Sequence, residues 1–189
     1  MFGFGKKKKT YFASKVLMSR PALDRLLLNG LRNKEIIAVT FFTSTRNELL
    51  KLLNDPSLDD LVIPAEKIIN GNAIPQINSF LIPGGKQIVL AERYPLSDNE
   101  TRLAEKLEAN GIQIPLAAYA SLDDAILQHA GGEKVKSLMQ RMGMQEDEII
   151  SHAMIESSIE NFQSKIAKKI SFDSHAQSPE EWFRMNIPS

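Results

Sequence analysis

The chain has 189 residues, 43% of them hydrophobic and 24% charged, which suits one globular domain or one domain with a helical extension. Lysine plus arginine and aspartate plus glutamate number 23 each, so the formal net charge is zero and no global field draws the chain to nucleic acid or an anionic membrane. There is no cysteine, which excludes disulfides, thiolate catalysis and Cys-ligated metal and permits a reducing compartment.

Residues 1–14 read as a basic, glycine-containing arm. Its GKKKKT run is not a phosphate loop, because a phosphate loop needs a glycine just before the lysine and a strand before the loop. Lys6, Lys7, Lys8 and Lys9, beside Phe2, Phe4 and Tyr11, are instead a solvated arm with weak peripheral contact to acidic lipid as a second reading. No apolar h-region follows the lysines, so no secretory signal is expected and the cytoplasm is the expected location.

Pro21 suits a first helical turn, and Leu23, Leu26, Leu27 and Leu31 then recur at helical spacing. Residues 36–42 form a continuous apolar run, short enough for a strand buried on both faces and far short of the ~20 residues of a membrane helix. Thr45 and Glu48 suggest a capping box opening a helix that Asn54-Asp55-Pro56 ends. Residues 61–64 predict a second strand. Residues 70–85 read mainly as loop, with a candidate strand at 80–82. Residues 87–92 predict a good strand, and Ser97 with Glu100 suggests a second capping box for a helix ending at Asn110-Gly111. Residues 112–119 are a further strand, which Pro115 marks as an edge or a bulge.

Everything beyond Leu122 reads as helical. Gly131-Gly132 and Gly143 serve as breaks, and a long helix spans about 146–169, with Ile155, Ile159, Phe162 and Ile166 on one stripe. That stripe suits packing on the chain's own sheet better than a seam for a partner helix. A last short helix after Pro179 carries Trp182 and Phe183, a surface anchor for a partner if exposed and core if not. Strands alternating with helices predict an α/β fold, a mostly parallel sheet with flanking helices followed by an all-helical C-terminal segment.

Few residues carry a chemical signal. His129, His152 and His175 are too widely spaced for a helix-borne metal site, and no metal or other cofactor is expected. Asp123 and Asp124 suit a helix N-terminus better than acid–base catalysis, since neighbours on a helix diverge by ~100°. Glu92 and Arg93 follow the carboxyl end of a strand, where open α/β sheets bind ligands. A local ion pair is the preferred reading, with contact to nucleotide or a partner as the weaker one.

Residues 131–165, GGEKVKSLMQRMGMQEDEIISHAMIESSIENFQSK, carry the most specific signal. This ungapped stretch is similar to a region of the SecA preprotein translocase family, with Gly131, Gly132, Lys136, Arg141, Gly143, Glu160, Asn161 and Gln163 among the matching positions. Gly84-Gly85 with Glu92-Arg93, and residues 119–124, resemble the family's preceding segment, and residues 35–53 one of its strand–helix units. The resemblance implies a RecA-like domain over residues 15–120 and the start of a helical scaffold over 121–189. It also implies a loss: the family's arginine-rich, γ-phosphate-facing segment falls on residues 102–111, an ordinary amphipathic helix here. An arginine finger contributes ~10³–10⁵ in rate, and the family's Walker A lysine belongs to a domain without a counterpart in this chain. The expected function is therefore a non-catalytic accessory or regulatory binding protein, not an enzyme, with a protein partner in the export machinery. Lys136, Arg141, Glu160, Asn161, Gln163, Trp182 and Phe183 are the candidate contacts. The alternatives are a nucleotide-binding subunit of an ATPase completed by a partner chain, and a SecA-derived fold recruited to an unrelated role.

Overall fold

A computed structural model describes residues 10–81, 85–151 and 153–187. Five strands, β1 (Phe12–Leu17), β2 (Ile36–Thr40), β3 (Val62–Pro64), β4 (Gln87–Leu90) and β5 (Leu116–Ser121), form one sheet in the order β1-β5-β4-β2-β3. Every strand pair is parallel; Phe12 lies opposite Leu116, Val89 opposite Ala117, Ile37 opposite Ile88 and Ala38 opposite Val62. The predicted α/β architecture is thus the observed one.

The β2 run is fully buried from Ile37 to Thr40, as an apolar strand covered on both faces must be. α1 (Arg20–Arg32) is capped by the Ser19 side chain, which accepts from the Ala22 N–H, and lays Leu23, Leu27 and Leu31 on the sheet. At Gly30 a Cβ would come within 2.9 Å of the tip of the Ile36 side chain, so this turn of α1 lies close against β2 and a larger residue there requires Ile36 to shift. α2 (Thr43–Leu53) stops at Asn54, whose left-handed φ of 49° reverses the chain. α3 (Ala65–Ile69), α4 (Ile74–Leu81) and α5 (Ser97–Glu108) complete the α/β part. α1 packs on α2 and α3 on α5.

Neighbouring β2 and β4 send their connections in opposite directions, β2 outward to β3 and β4 inward to β5. Right-handed crossovers then put α2 and α5 on opposite faces and open a crevice at the carboxyl ends of β2 and β4. The remaining helices, α6 (Ala125–His129), α7 (Gly132–Arg141), α8 (Ala153–Ala167) and α9 (Pro179–Asn186), close on that end of the sheet. There a second apolar cluster unites Val16, Phe42, Tyr94 and Leu122 with Ile126, Ile159, Ile166, Trp182 and Phe183.

Several local expectations fail. β1 includes residues 12–14, placed by composition in the arm; its inward positions are Phe12, Ser14 and Val16, and the polar Ser14 hides the alternation. Residues 74–81 are helical and not loop or strand, because Pro75 sits in a first turn and Ile77 is buried; Ile82 lies outside the described residues. Neither capping box forms: Phe42 and Leu96 are the N-caps, Thr45 lies inside α2, and Glu100 turns inward. Pro115 precedes β5, which is an interior strand and not an edge. Gly143 does break the helix, at φ 80°, but the next helix begins at Ala153 and not near 146, because Ile150 first exchanges two hydrogen bonds with edge strand β1 at Val16 (3.0 and 2.7 Å).

Candidate functional site

The crevice is organised by two consecutive residues at a bend just beyond β4, whose side chains engage different partners. Glu92 turns toward β2 and accepts hydrogen bonds from the Phe41 N–H (2.7 Å), the Phe42 N–H (2.9 Å) and the Thr45 hydroxyl. It ties the carboxyl end of β2 and the start of α2 to β4. Burial pushes its carboxyl up to about 7, against the opposing pull of the Thr45, Phe42 and Phe41 hydrogen bonds.

Arg93 turns the other way. Its Nε and Nη2 fork onto Glu100 at 2.8 and 2.9 Å, and its Nη1 reaches Glu156 of α8 (3.2 Å) and the Ser14 hydroxyl of β1. Burial alone would lower the basicity of Arg93, but Glu100 and Glu156 beside it win and hold the guanidinium charged. Glu100 also accepts from the Tyr94 N–H (2.8 Å) and from Gln163 (3.1 Å). The expected Glu92–Arg93 ion pair is therefore absent among the described contacts. Each residue is engaged with other groups, and both are buried, at 3% and 4% exposure.

Beside Glu92 lies a cavity of about 210 Å³, lined by Arg20, Glu48, Glu92, Asp124, Ser178 and Glu180 among others. Arg20 bonds Asp24 through Nε (2.9 Å) and Asp124 through Nη1 (3.5 Å), while its buried Nη2 has no hydrogen-bond partner among the described residues. Burial raises the carboxyls of Asp124 and Asp24, with Arg20 opposing in both cases. Asp124 stands at the N-cap of α6, but its side chain bonds the Ser121 N–H (2.9 Å) and hydroxyl (2.6 Å) and does not cap the helix. Asp123 accepts from the Arg20 N–H (3.1 Å) and pairs with Lys136. The two aspartates thus clamp the start of α1. The cavity wall carries Glu48, Glu92, Asp123, Asp124 and Glu180 against Arg20 and the already paired Arg93, a balance that disfavours a polyphosphate.

The C-terminal segment covers this end of the sheet. The Ser44 N–H donates to the Gln177 carbonyl at 2.9 Å. Asp173 gathers Trp182 Nε1 (2.7 Å), the Tyr94 hydroxyl (3.0 Å) and the Asn99 amide (2.9 Å). Tyr94 lies between Phe42 and Trp182, and Phe183 stacks on His129 at 4.2 Å.

The sequence-predicted contacts therefore separate. Trp182 (0% exposed) and Phe183 (4%) are core and not a surface anchor, since α9 is folded over the crevice. Gln163 is also buried, donating to the Tyr94 carbonyl (2.8 Å) as well as to Glu100. Lys136 is held by Asp123 and is half-buried. Arg141 and Asn161 are exposed and Glu160 partly so. Lys6, Lys7, Lys8 and Lys9, and His152, lie outside the described residues. Sequence reasoning missed Arg20, Ser14, Glu156 and Asp173. Only Arg20 carried a local signal, an acid four residues on at Asp24. α5 is amphipathic as expected, with Leu103, Ala104 and Leu107 buried and Arg102 exposed.

No model of a known protein family matches the chain. Individual proteins do. Protein translocase subunit SecA 1 of Alkaliphilus metalliredigens is 34% identical over 83 residues, 44% of this chain and 9% of that protein. Protein translocase subunit SecA of Christiangramia forsetii is 36% identical over 83 residues, 44% of this chain and 7% of that protein. The SecA of Brachyspira hyodysenteriae is 26% identical over a longer stretch of 135 residues, 70% of this chain and 14% of that protein. Part of this chain is related to SecA. The SecA-related stretch amounts to a small fraction of the relatives' length. Among the described residues, no helix is long and apolar enough to cross a membrane.

Proposed function

We propose that the chain is a non-catalytic accessory or regulatory binding module that works with SecA-dependent protein export in the cytoplasm. The observation that carries this reading is the state of the crevice at the carboxyl ends of β2 and β4. Its wall is dominated by carboxylates, its two best-placed polar residues are committed to internal contacts, and α9 lies over it. A triphosphate would meet negative charge where a phosphate-handling site presents arginine or lysine. The similarity to SecA points to the export machinery as the setting.

Two measurements test the reading. The intact chain should release no phosphate from ATP above the buffer rate, and adding it to SecA should change preprotein-stimulated ATP turnover. Turnover by the chain itself that disappears in Arg93→Met would overturn the non-catalytic assignment. An unchanged SecA rate at saturating chain would overturn the assignment to export.

A further inference from the structure

α7 carries a face that the fold does not use. Val135, Leu138, Met139 and the C-cap residue Met142 fall on a stripe ~100° wide at ~100° per residue. One edge, Val135 and Met139, is partly buried against the second apolar cluster. The other edge is open: Leu138 is 54% and Met142 72% exposed. These two stand one turn apart, so they form a continuous apolar strip and not scattered surface residues. Unlike α1, whose Leu23, Leu27 and Leu31 are buried, α7 projects half of its stripe into solvent.

The charges beside the open edge define what fits. Lys134 and Arg141 are four residues before and three after Leu138, which makes both its neighbours on the helix surface. Both are exposed, and neither is paired with a carboxylate among the described residues. The first-turn acid, Glu133, projects from the opposite side of the helix. The strip is therefore apolar with a cationic border. A second copy docked through the same strip would gather four cations around one seam. A helix with an apolar stripe and acidic flanks meets the border with opposite charge. Exposed methionine suits such a partner, because its unbranched, polarizable side chain repacks against varied apolar shapes.

We infer that the Leu138–Met142 strip of α7, with its Lys134 and Arg141 border, docks an acidic amphipathic helix of a partner protein. This inference rests on the reading of the chain as a binding module and names the chemistry of its partner. Arg141 matters here as a border charge. Lys136, one of the sequence-predicted contacts, lies outside the strip and is held by Asp123.

The test uses the intact chain and a fluorescent helical peptide of about 18 residues, with leucines at i, i+4, i+7 and i+11 and glutamates on the flanks. A second peptide replaces every glutamate with lysine. In anisotropy titrations the acidic peptide should bind at least about tenfold more tightly than the lysine peptide, and added salt should weaken it. Leu138→Glu with Met142→Glu should cost at least about tenfold. Lys134→Glu with Arg141→Glu should invert the preference toward the lysine peptide. The sole tryptophan, the buried Trp182, reports by its emission that each variant is folded. Equal binding of both peptides, no binding, or an unchanged preference in the charge-reversed variant overturns the inference. So does a dimer in sedimentation equilibrium that Leu138→Glu with Met142→Glu dissolves, which would give the strip to a second copy. The outcomes separate from those of the functional reading. A chain that alters SecA turnover but binds neither peptide loses only this strip. One that binds the acidic peptide but leaves SecA unchanged keeps the strip and loses the export setting.

Discussion

The two apolar clusters of this protein are built on different principles. The one between the sheet and α1, α2, α3 and α5 is aliphatic, drawn mainly from leucine, isoleucine, valine and alanine in regular elements. The one at the carboxyl ends of the strands is aromatic, with Phe42, Tyr94, Trp182 and Phe183 at its centre. Beside it run buried polar networks: Arg93 with Glu100 and Glu156, Glu92 with Thr45, and Asp173 with Tyr94 and Trp182. The first cluster needs only volume and pattern, and tolerates exchange of one aliphatic for another. The second joins residues as far as 142 positions apart, as between Ser14 and Glu156, through directional bonds, and each partner exists to satisfy another buried group. The helical segment is therefore fastened to the sheet by specific contacts as well as by apolar area.

The sharpest way to break this contrast is Arg93→Ala. It strands Glu100 in a site where the Arg93 side chain is 2% exposed, and should cost about 3–5 kcal/mol in denaturant unfolding. Replacing both partners, Arg93→Met with Glu100→Leu, should recover much of that loss. A double variant as unstable as the single one would mean that the network acts through Glu156 and Ser14 and not through the fork.

A pH titration comes next. Glu92 has its carboxyl raised from 4.5 to about 7 in the fold, so the native state retains a proton that the unfolded chain releases. Its contribution is fully present below pH 4.5 and is lost as pH rises through about 7. The loss is on the order of 3 kcal/mol. Asp124 and Asp24, also raised by burial, act in the same direction. Glu92→Gln cannot titrate, so the stability difference between it and the wild type should grow over that window. Parallel stability–pH curves for the two proteins would remove Glu92 from the account.

Smaller effects mark the edges of the comparison. At Gly143, φ is 80° and an added Cβ would meet nothing within 4 Å, so Gly143→Val tests backbone strain alone. It should lower stability by about 1 kcal/mol or somewhat more, read from the thermal midpoint. Asn161→Ala, on the exposed side of α8, should change stability by less than about 0.5 kcal/mol. A larger loss there would show that α8 is braced on both sides.

What the sequence by itself determined is whatever local chemistry decides. The unbroken apolar run of β2 requires burial on both faces, the leucine spacing of α1 requires one apolar stripe, and Asn54 and Gly143 supply the left-handed turns that end helices. These follow from residues within a few positions of one another. The tertiary structure alone decided that Ser14 belongs to a buried strand face, because its reason for being polar is Arg93, 79 residues away. It likewise decided that Glu100 would satisfy Arg93 and not cap its own helix, that Ile150 would delay α8 by pairing with β1, and that Trp182 would be core. In a parallel sheet each strand meets its neighbours only after a long crossover, so the partner that gives a polar side chain its meaning lies beyond the reach of any local pattern.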